Sequence, residues 1–219
     1  MDSNPSSAPK NDRHVVEWVI WAALAITVVA ITFAFVWIRF FAERLDRPLI
    51  VAGSLPQFTL TNQLAQPVSL SDLLGHVVVA DVIFTRCPIS CERMSTRMHA
   101  LQETLGPRVN ARFISLTADP GYDTPEILRR YGERHGADPG RWFFLTGVKQ
   151  DVYELAVHGL KLTVVENTDD KKLPDDLFVH STLFVLLDKQ GRIRGSFEGT
   201  DENDRKQLAI AVKKLAREH

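Results

Sequence analysis

One uninterrupted apolar run dominates the N-terminal part of the chain: Trp18 to Ile38 (WVIWAALAITVVAITFAFVWI) contains no charge. At about 1.5 Å per residue a helix of this length matches a hydrocarbon core about 30 Å thick, so the run predicts a transmembrane helix. Trp18, Trp21 and Trp37 lie near its ends, where indoles prefer the headgroup level. A secretory signal would have a shorter apolar stretch and a small-residue cleavage site, so the helix is expected to stay as an anchor. Asp46 to Pro56 shows no period and contains Pro48, Gly53 and Pro56, which predicts a tether. The expected division is a tail at 1–14, the anchor at 15–41, the tether at 42–55 and one folded domain at 56–219.

Within that domain the pattern changes period repeatedly. FTLTNQLAQPVSL, from Phe58, predicts two short strands around a polar turn, and the apolar HVVVADVIF (His76–Phe84) a central strand covered on both faces. A helix is expected from about Pro88 to Leu105, stopped by Gly106-Pro107, followed by a strand over Arg112–Thr117. Asp123-Thr124-Pro125-Glu126 supplies a cap, a first-turn proline and an acid for a helix running toward His135. WFFLTG (Trp142–Gly147), a short helix near Gln150–His158 and a charged excursion over Glu166–Asp176 come next. STLFVLL (Ser181–Leu187) predicts a buried strand, Asp188–Gly191 a hairpin turn, IRGSF its partner, and Glu202–Arg217 a last helix. Strands alternating with helices describe an α/β, thioredoxin-like fold: a mixed central sheet flanked by helices.

Composition narrows the function. The 219 residues carry a net charge of −1 with both signs interspersed, which leaves no electrostatic footprint for a nucleic acid. Roughly 170 residues beyond the anchor suffice for one hydrophobic core. The tail balances Lys10 and Arg13 against two aspartates, unlike an Arg-rich organelle presequence, and so fits a bacterial chain better. Arg39, Arg44 and Arg47 follow the anchor, so the positive-inside rule lends no support to a cytoplasmic N-terminus.

The only two cysteines, Cys87 and Cys91, form a C-x-x-x-C where the apolar strand hands over to a helix. Thiols at the positive end of a helix are expected to ionise more readily, as both metal binding and disulfide exchange require. Residues four apart on a helix have Cβ atoms about 5–6 Å apart, whereas a disulfide wants about 3.5–4.5 Å. A metal with two sulfurs at about 2.3 Å each tolerates the wider spacing. A disulfide stays open if Cys87 precedes the helix. Structural zinc wants four ligands; two thiolates and one imidazole would suit copper. A histidine is more often structural than a ligand, but His180 stands where the charged excursion meets a buried strand.

TRCPISC, SLTADPGYDTPEILRRYGERHGADPGRWFFLTG and VHSTLFVLLDKQGRI resemble, in order, the signature blocks of the Sco/SenC family, over essentially everything beyond Pro56. The resemblance implies a thioredoxin fold on one transmembrane helix, binding one copper ion, Cu(I) or Cu(II), through Cys87, Cys91 and His180. It further implies copper delivery to, or thiol reduction of, the dinuclear copper site in a subunit of cytochrome c oxidase. The domain is then expected on the periplasmic side of a bacterial inner membrane, single-pass. The first departure from the family pattern is Glu92, where proline usually follows the second cysteine; its carboxylate opposes thiolate formation, partly offset by Arg86 and Arg93. The second is Val179, where an acid commonly precedes the histidine to orient it; Asp175 and Asp176 are substitutes. The competing reading is a thiol:disulfide oxidoreductase using the same cysteines. Asp119 reads as a turn former, Arg86 as an exposed arginine, and the excursion as a solvated loop.

Overall fold

The computed structural model describes residues 12–42, 49–166 and 178–218. The chain divides into two compact units, Met1–Arg47 and Pro48–His219. The first contains helix α1 (Asp12–Ala42), of which Val15–Trp37 is long and apolar enough to cross a membrane. Trp18, Ile26 and Phe33 of this helix are exposed.

The second unit is a mixed seven-stranded sheet. Its strands are β1 (Thr59–Asn62), β2 (Pro67–Ser69), β3 (Val77–Ile83), β4 (Ala111–Thr117), β5 (Trp142–Thr146), β8 (Leu183–Leu187) and β9 (Ile193–Glu198). The order is β2-β1-β5-β4-β3-β8-β9, with β3, β4 and β5 parallel and the remaining pairs antiparallel. Every residue of β3 is buried, as its valine-rich sequence predicts for a strand covered on both faces. A separate two-stranded sheet pairs β6 (Val164–Glu166) with β7 (Phe178–His180). This is the expected thioredoxin-like architecture of a mixed sheet with flanking helices.

Helix α2 is a single turn (Leu70–Leu73). Helix α3 (Ser90–Leu105) buries Cys91, Met94, Ser95, Met98, Leu101, Gln102 and Leu105, a stripe at helical spacing that packs on the sheet. It ends at Gly106, whose φ of 67° suits a residue without Cβ and whose N–H donates to the Gln102 carbonyl. Helix α4 (Pro125–Arg134) starts on the Thr124 cap with Pro125 in its first turn. Helix α6 (Glu202–Arg217) is capped by Asp201, which accepts from the Asp204 N–H at 2.8 Å. Helix α3 lies between these two: Arg97 pairs with Glu202 of α6, and Arg134 of α4 pairs with Glu92.

The short helix expected near Gln150–His158 is α5 (Lys149–Tyr153), continuing as one π-helical stretch, Glu154–Gly159. Helix α3 begins two residues later than Pro88, which leaves Cys87 in the loop. The described part of the expected tether, from Leu49, lies along β9: Ala52 N–H donates to the Ile193 carbonyl and Leu55 N–H to that of Gly191. This strap covers an otherwise unpaired sheet edge. Most of the charged excursion, including Asp175 and Asp176, lies outside the described residues.

Candidate functional site

The site forms where β3 ends and α3 begins. Phe84 closes the strand, its carbonyl accepts the Cys87 N–H at 3.1 Å, and the chain turns through Pro88 and Ile89 into α3. Cys87 therefore sits in the connecting turn and Cys91 in the first turn of the helix. Both stand as thiols, and both are buried. The Cys91 N–H points at the Cys87 sulfur at 3.4 Å, the Phe84 N–H at the Cys91 sulfur at 3.5 Å, and Ser90 Oγ lies 3.0 Å from the Cys87 sulfur. Two sulfurs and several backbone donors thus share one small region.

Burial reverses the expectation of ready ionisation at Cys91. Its thiol is pushed far above its ordinary 9.0, first by burial and then by the neighbouring Cys87. A helix terminus favours an anion by about 0.3–1 kcal/mol at the surface. Removing a charge from water costs more than that, and Cys91 has no exposed surface. Asp81, a fully buried acid in the middle of β3, also opposes the thiolate electrostatically.

The turn carrying Cys87 is clamped to the loop between β4 and α4. Asp123 is fully buried; its carboxylate accepts the Thr85 N–H at 3.2 Å and the hydroxyls of Thr85 and Thr117. Thr117 Oγ accepts in turn from the Asp119 N–H at 2.9 Å. Arg86 pairs with Asp119 and lies over the Tyr122 ring, 4.2 Å from its centroid. Arg86 is exposed, as expected, and its pairing with Asp119 also ties the two loops together. Burial pushes the Asp123 carboxyl up, against the three donors that hold it down.

Glu92 turns away from the thiols toward α4. Arg134 donates to it at 2.6 Å, and His135 Nε2 lies 3.1 Å from its other oxygen. His135 is held below its ordinary 6.5 by burial, while Glu92 acts in the opposite sense. Its ring packs on Tyr131, 4.4 Å between centroids, and the Tyr131 hydroxyl bonds Ser95 Oγ at 2.8 Å. The acid in place of the expected proline is thus neutralised from α4, while Arg86 pairs with Asp119.

His180 ends β7, its backbone in register with Val164 of β6. Phe178, two residues earlier, packs on Phe84 at 5.2 Å between ring centroids. The strand of His180 is thereby brought to the end of the sheet where the thiols sit. The His180 ring and the Val179 side chain lie outside the described side chains. Among the described residues no three His, Cys, Asp or Glu side chains converge on one point. His76, His99 and His158 serve locally, as with His99 Nδ1 at 3.1 Å from the Gly136 carbonyl.

Two residues escaped the sequence reading. Asp81 had a visible signal, a charge inside an apolar strand. Asp123 was hidden by its position, because an acid before Thr-Pro reads as a helix cap, a role that Thr124 fills instead.

The SCO1/SenC family model matches residues 52–217. The SCO1 protein homolog of Bacillus subtilis is 31% identical over 158 residues, 71% of this chain and 79% of the relative. A protein of Stutzerimonas stutzeri, named as a candidate copper-binding protein, is 30% identical over 144 residues, 65% of this chain and 68% of the relative. Among solved structures BsSco superposes with a TM-score of 0.67 at 27% identity, covering 79% of this chain and 99% of its own. BsSco is described as a member of the Sco family of cytochrome c oxidase assembly proteins with a disulfide switch.

Proposed function

This chain belongs to the SCO1/SenC family, and on that premise we propose that it is a copper metallochaperone for the dinuclear copper site of cytochrome c oxidase. Copper is its cargo, taken up by Cys87, Cys91 and His180 and passed to the copper-site subunit. The observation that carries this reading is the pair of buried thiols at the strand-to-helix turn, with the Cys91 N–H 3.4 Å from the Cys87 sulfur, at the sheet end to which the Phe84–Phe178 contact also draws the strand of His180. Soft sulfur donors with one imidazole suit copper, and two thiols alone fall short of a structural zinc cage. The copper-binding name of the Stutzerimonas relative and the oxidase-assembly role of BsSco support the same assignment. Helix α1 would hold the domain on the inner membrane, facing the periplasm.

Uptake requires each thiol to release its proton as the sulfur becomes a ligand. The buried Cys91 holds its proton firmly, so this sulfur rests as a thiol until metal arrives. A low ligand count leaves copper open to attack by partner ligands, which is what transfer needs. A second reading, a thiol:disulfide oxidoreductase reducing the partner's cysteines, draws on the disulfide switch of BsSco and on the position of Cys87 in a turn rather than in the helix.

The test is copper binding by the full chain in detergent micelles, with Cys87→Ala, Cys91→Ala and His180→Ala beside it. Metal stoichiometry and sulfur-to-copper charge-transfer absorption are the readouts. One copper per chain, lost in each variant, is the expected result. Wild-type protein that binds no copper but cycles between dithiol and disulfide would replace the chaperone reading with the reductase one.

A further inference from the structure

The turn before Cys87 contains Thr85 and Arg86, and neither is held by regular secondary structure. What holds the Thr85 backbone is Asp123, thirty-eight residues away on the β4–α4 loop. Its carboxylate is fully buried and accepts three donors, two from Thr85 and one from Thr117, while Thr117 also fixes the Asp119 N–H. On the far side of the turn the Cys87 N–H is committed to the Phe84 carbonyl, and the Ala118 N–H donates to the Ile83 carbonyl at 2.7 Å. A buried ionisable side chain is expensive unless its lone pairs are filled. A carboxylate on one loop that accepts from the other joins the two into one rigid piece. Its effect therefore falls on the residue two places beyond Thr85.

We propose that Asp123 is a positioning residue for Cys87: its buried carboxylate holds Thr85 from both backbone and side chain, and so sets where the Cys87 sulfur stands relative to Cys91. Asp123 donates nothing to a bound ion and reaches the sulfur only through the chain. The inference rests on the copper reading for its consequence, since a sulfur held in place before the metal arrives keeps uptake from having to order the turn. Its structural content can be tested without metal.

The experiment uses the full chain in detergent micelles with Asp123→Asn, Thr85→Val and Thr85→Ser. Leu73→Ala serves as a control that destabilises the core at the opposite end of β3. The first readout, in metal-free reductant, is the rate at which Cys87 is alkylated by iodoacetamide, resolved from Cys91 by peptide mass. The expected result is at least a tenfold faster reaction of Cys87 in Asp123→Asn and Thr85→Val. Thr85→Ser, which keeps the hydroxyl, should match wild type, and so should Leu73→Ala despite its lower melting temperature. The second readout is Cu(I) affinity by chelator competition, expected to weaken at least tenfold in the same two variants. Unchanged Cys87 rates in both, or an equal rise in Leu73→Ala, would overturn the proposal. Faster alkylation with no copper bound by wild type would sustain the clamp and remove the copper reading. If Asp123→Asn does not fold, Thr85→Val decides alone, because it removes one hydroxyl at constant shape.

Discussion

Replacing Cys91 by serine should flatten the alkaline limb of the stability curve. The Cys91 thiol is fully buried, and burial raises it far above the 9.0 at which it titrates when exposed. Above pH 9 the unfolded chain loses this proton and the folded chain keeps it. Stability associated with the raised group is therefore complete below pH 9 and declines as pH rises, by about 1.4 kcal/mol per pH unit. Between pH 9 and pH 11 the loss comes to roughly 2.3 kcal/mol from this one thiol. Serine has no proton to lose in this range, so Cys91→Ser carries a pH-independent packing cost and lacks the slope. The assay is urea unfolding of the metal-free protein with reductant in detergent, followed by far-ultraviolet circular dichroism at intervals from pH 8 to pH 11. The stability gap between wild type and Cys91→Ser should narrow by about 2.7 kcal/mol across that range. A gap constant to within about 0.5 kcal/mol would refute the argument that desolvation outweighs the helix terminus at this sulfur.

Two further outcomes follow from the packing. Asp188 is nearly buried; burial pushes its carboxyl up, but the Arg192 backbone and side chain, Arg194 and Gln190 outweigh it and hold the acid below its ordinary 3.8. Its contribution is thus complete above pH 3.8 and lost as pH falls through its folded value; Asp188→Ala should cost about 3 kcal/mol at pH 7 and up to about 1 kcal/mol less at pH 3, read by urea unfolding at the two values. In α4, a Cβ on Gly132 would lie 2.8 Å from Phe144 Cε2, and that ring is itself stacked on Trp142 at 5.0 Å. Gly132→Ala should therefore lose about 1–2 kcal/mol despite alanine's better helix propensity, seen as a melting temperature lowered by roughly 3–6 °C.

Local regularities carried much of this protein into view. The apolar run of α1, the all-buried valines of β3, the Thr124-Pro125 start of α4 and the 3.6-residue stripe of α3 are written in neighbouring residues, because backbone periodicity and capping act over a few positions. The location of Cys87 and Cys91 at a strand-to-helix junction was legible for the same reason. Other features depend on partners dozens of residues away. Glu92 read as a charge beside the thiols until Arg134 and His135 were seen to hold it from α4. Asp123 read as a cap until its carboxylate was found beneath Thr85. The pairing of β6 with β7, and the Phe178–Phe84 contact that draws the strand of His180 to the thiols, had no periodic signal in so short a segment. The ionisation of Cys91 is not legible in the sequence, because a helix dipole follows from sequence position, whereas desolvation is the sum of everything packed around the sulfur and exists only once the chain has folded.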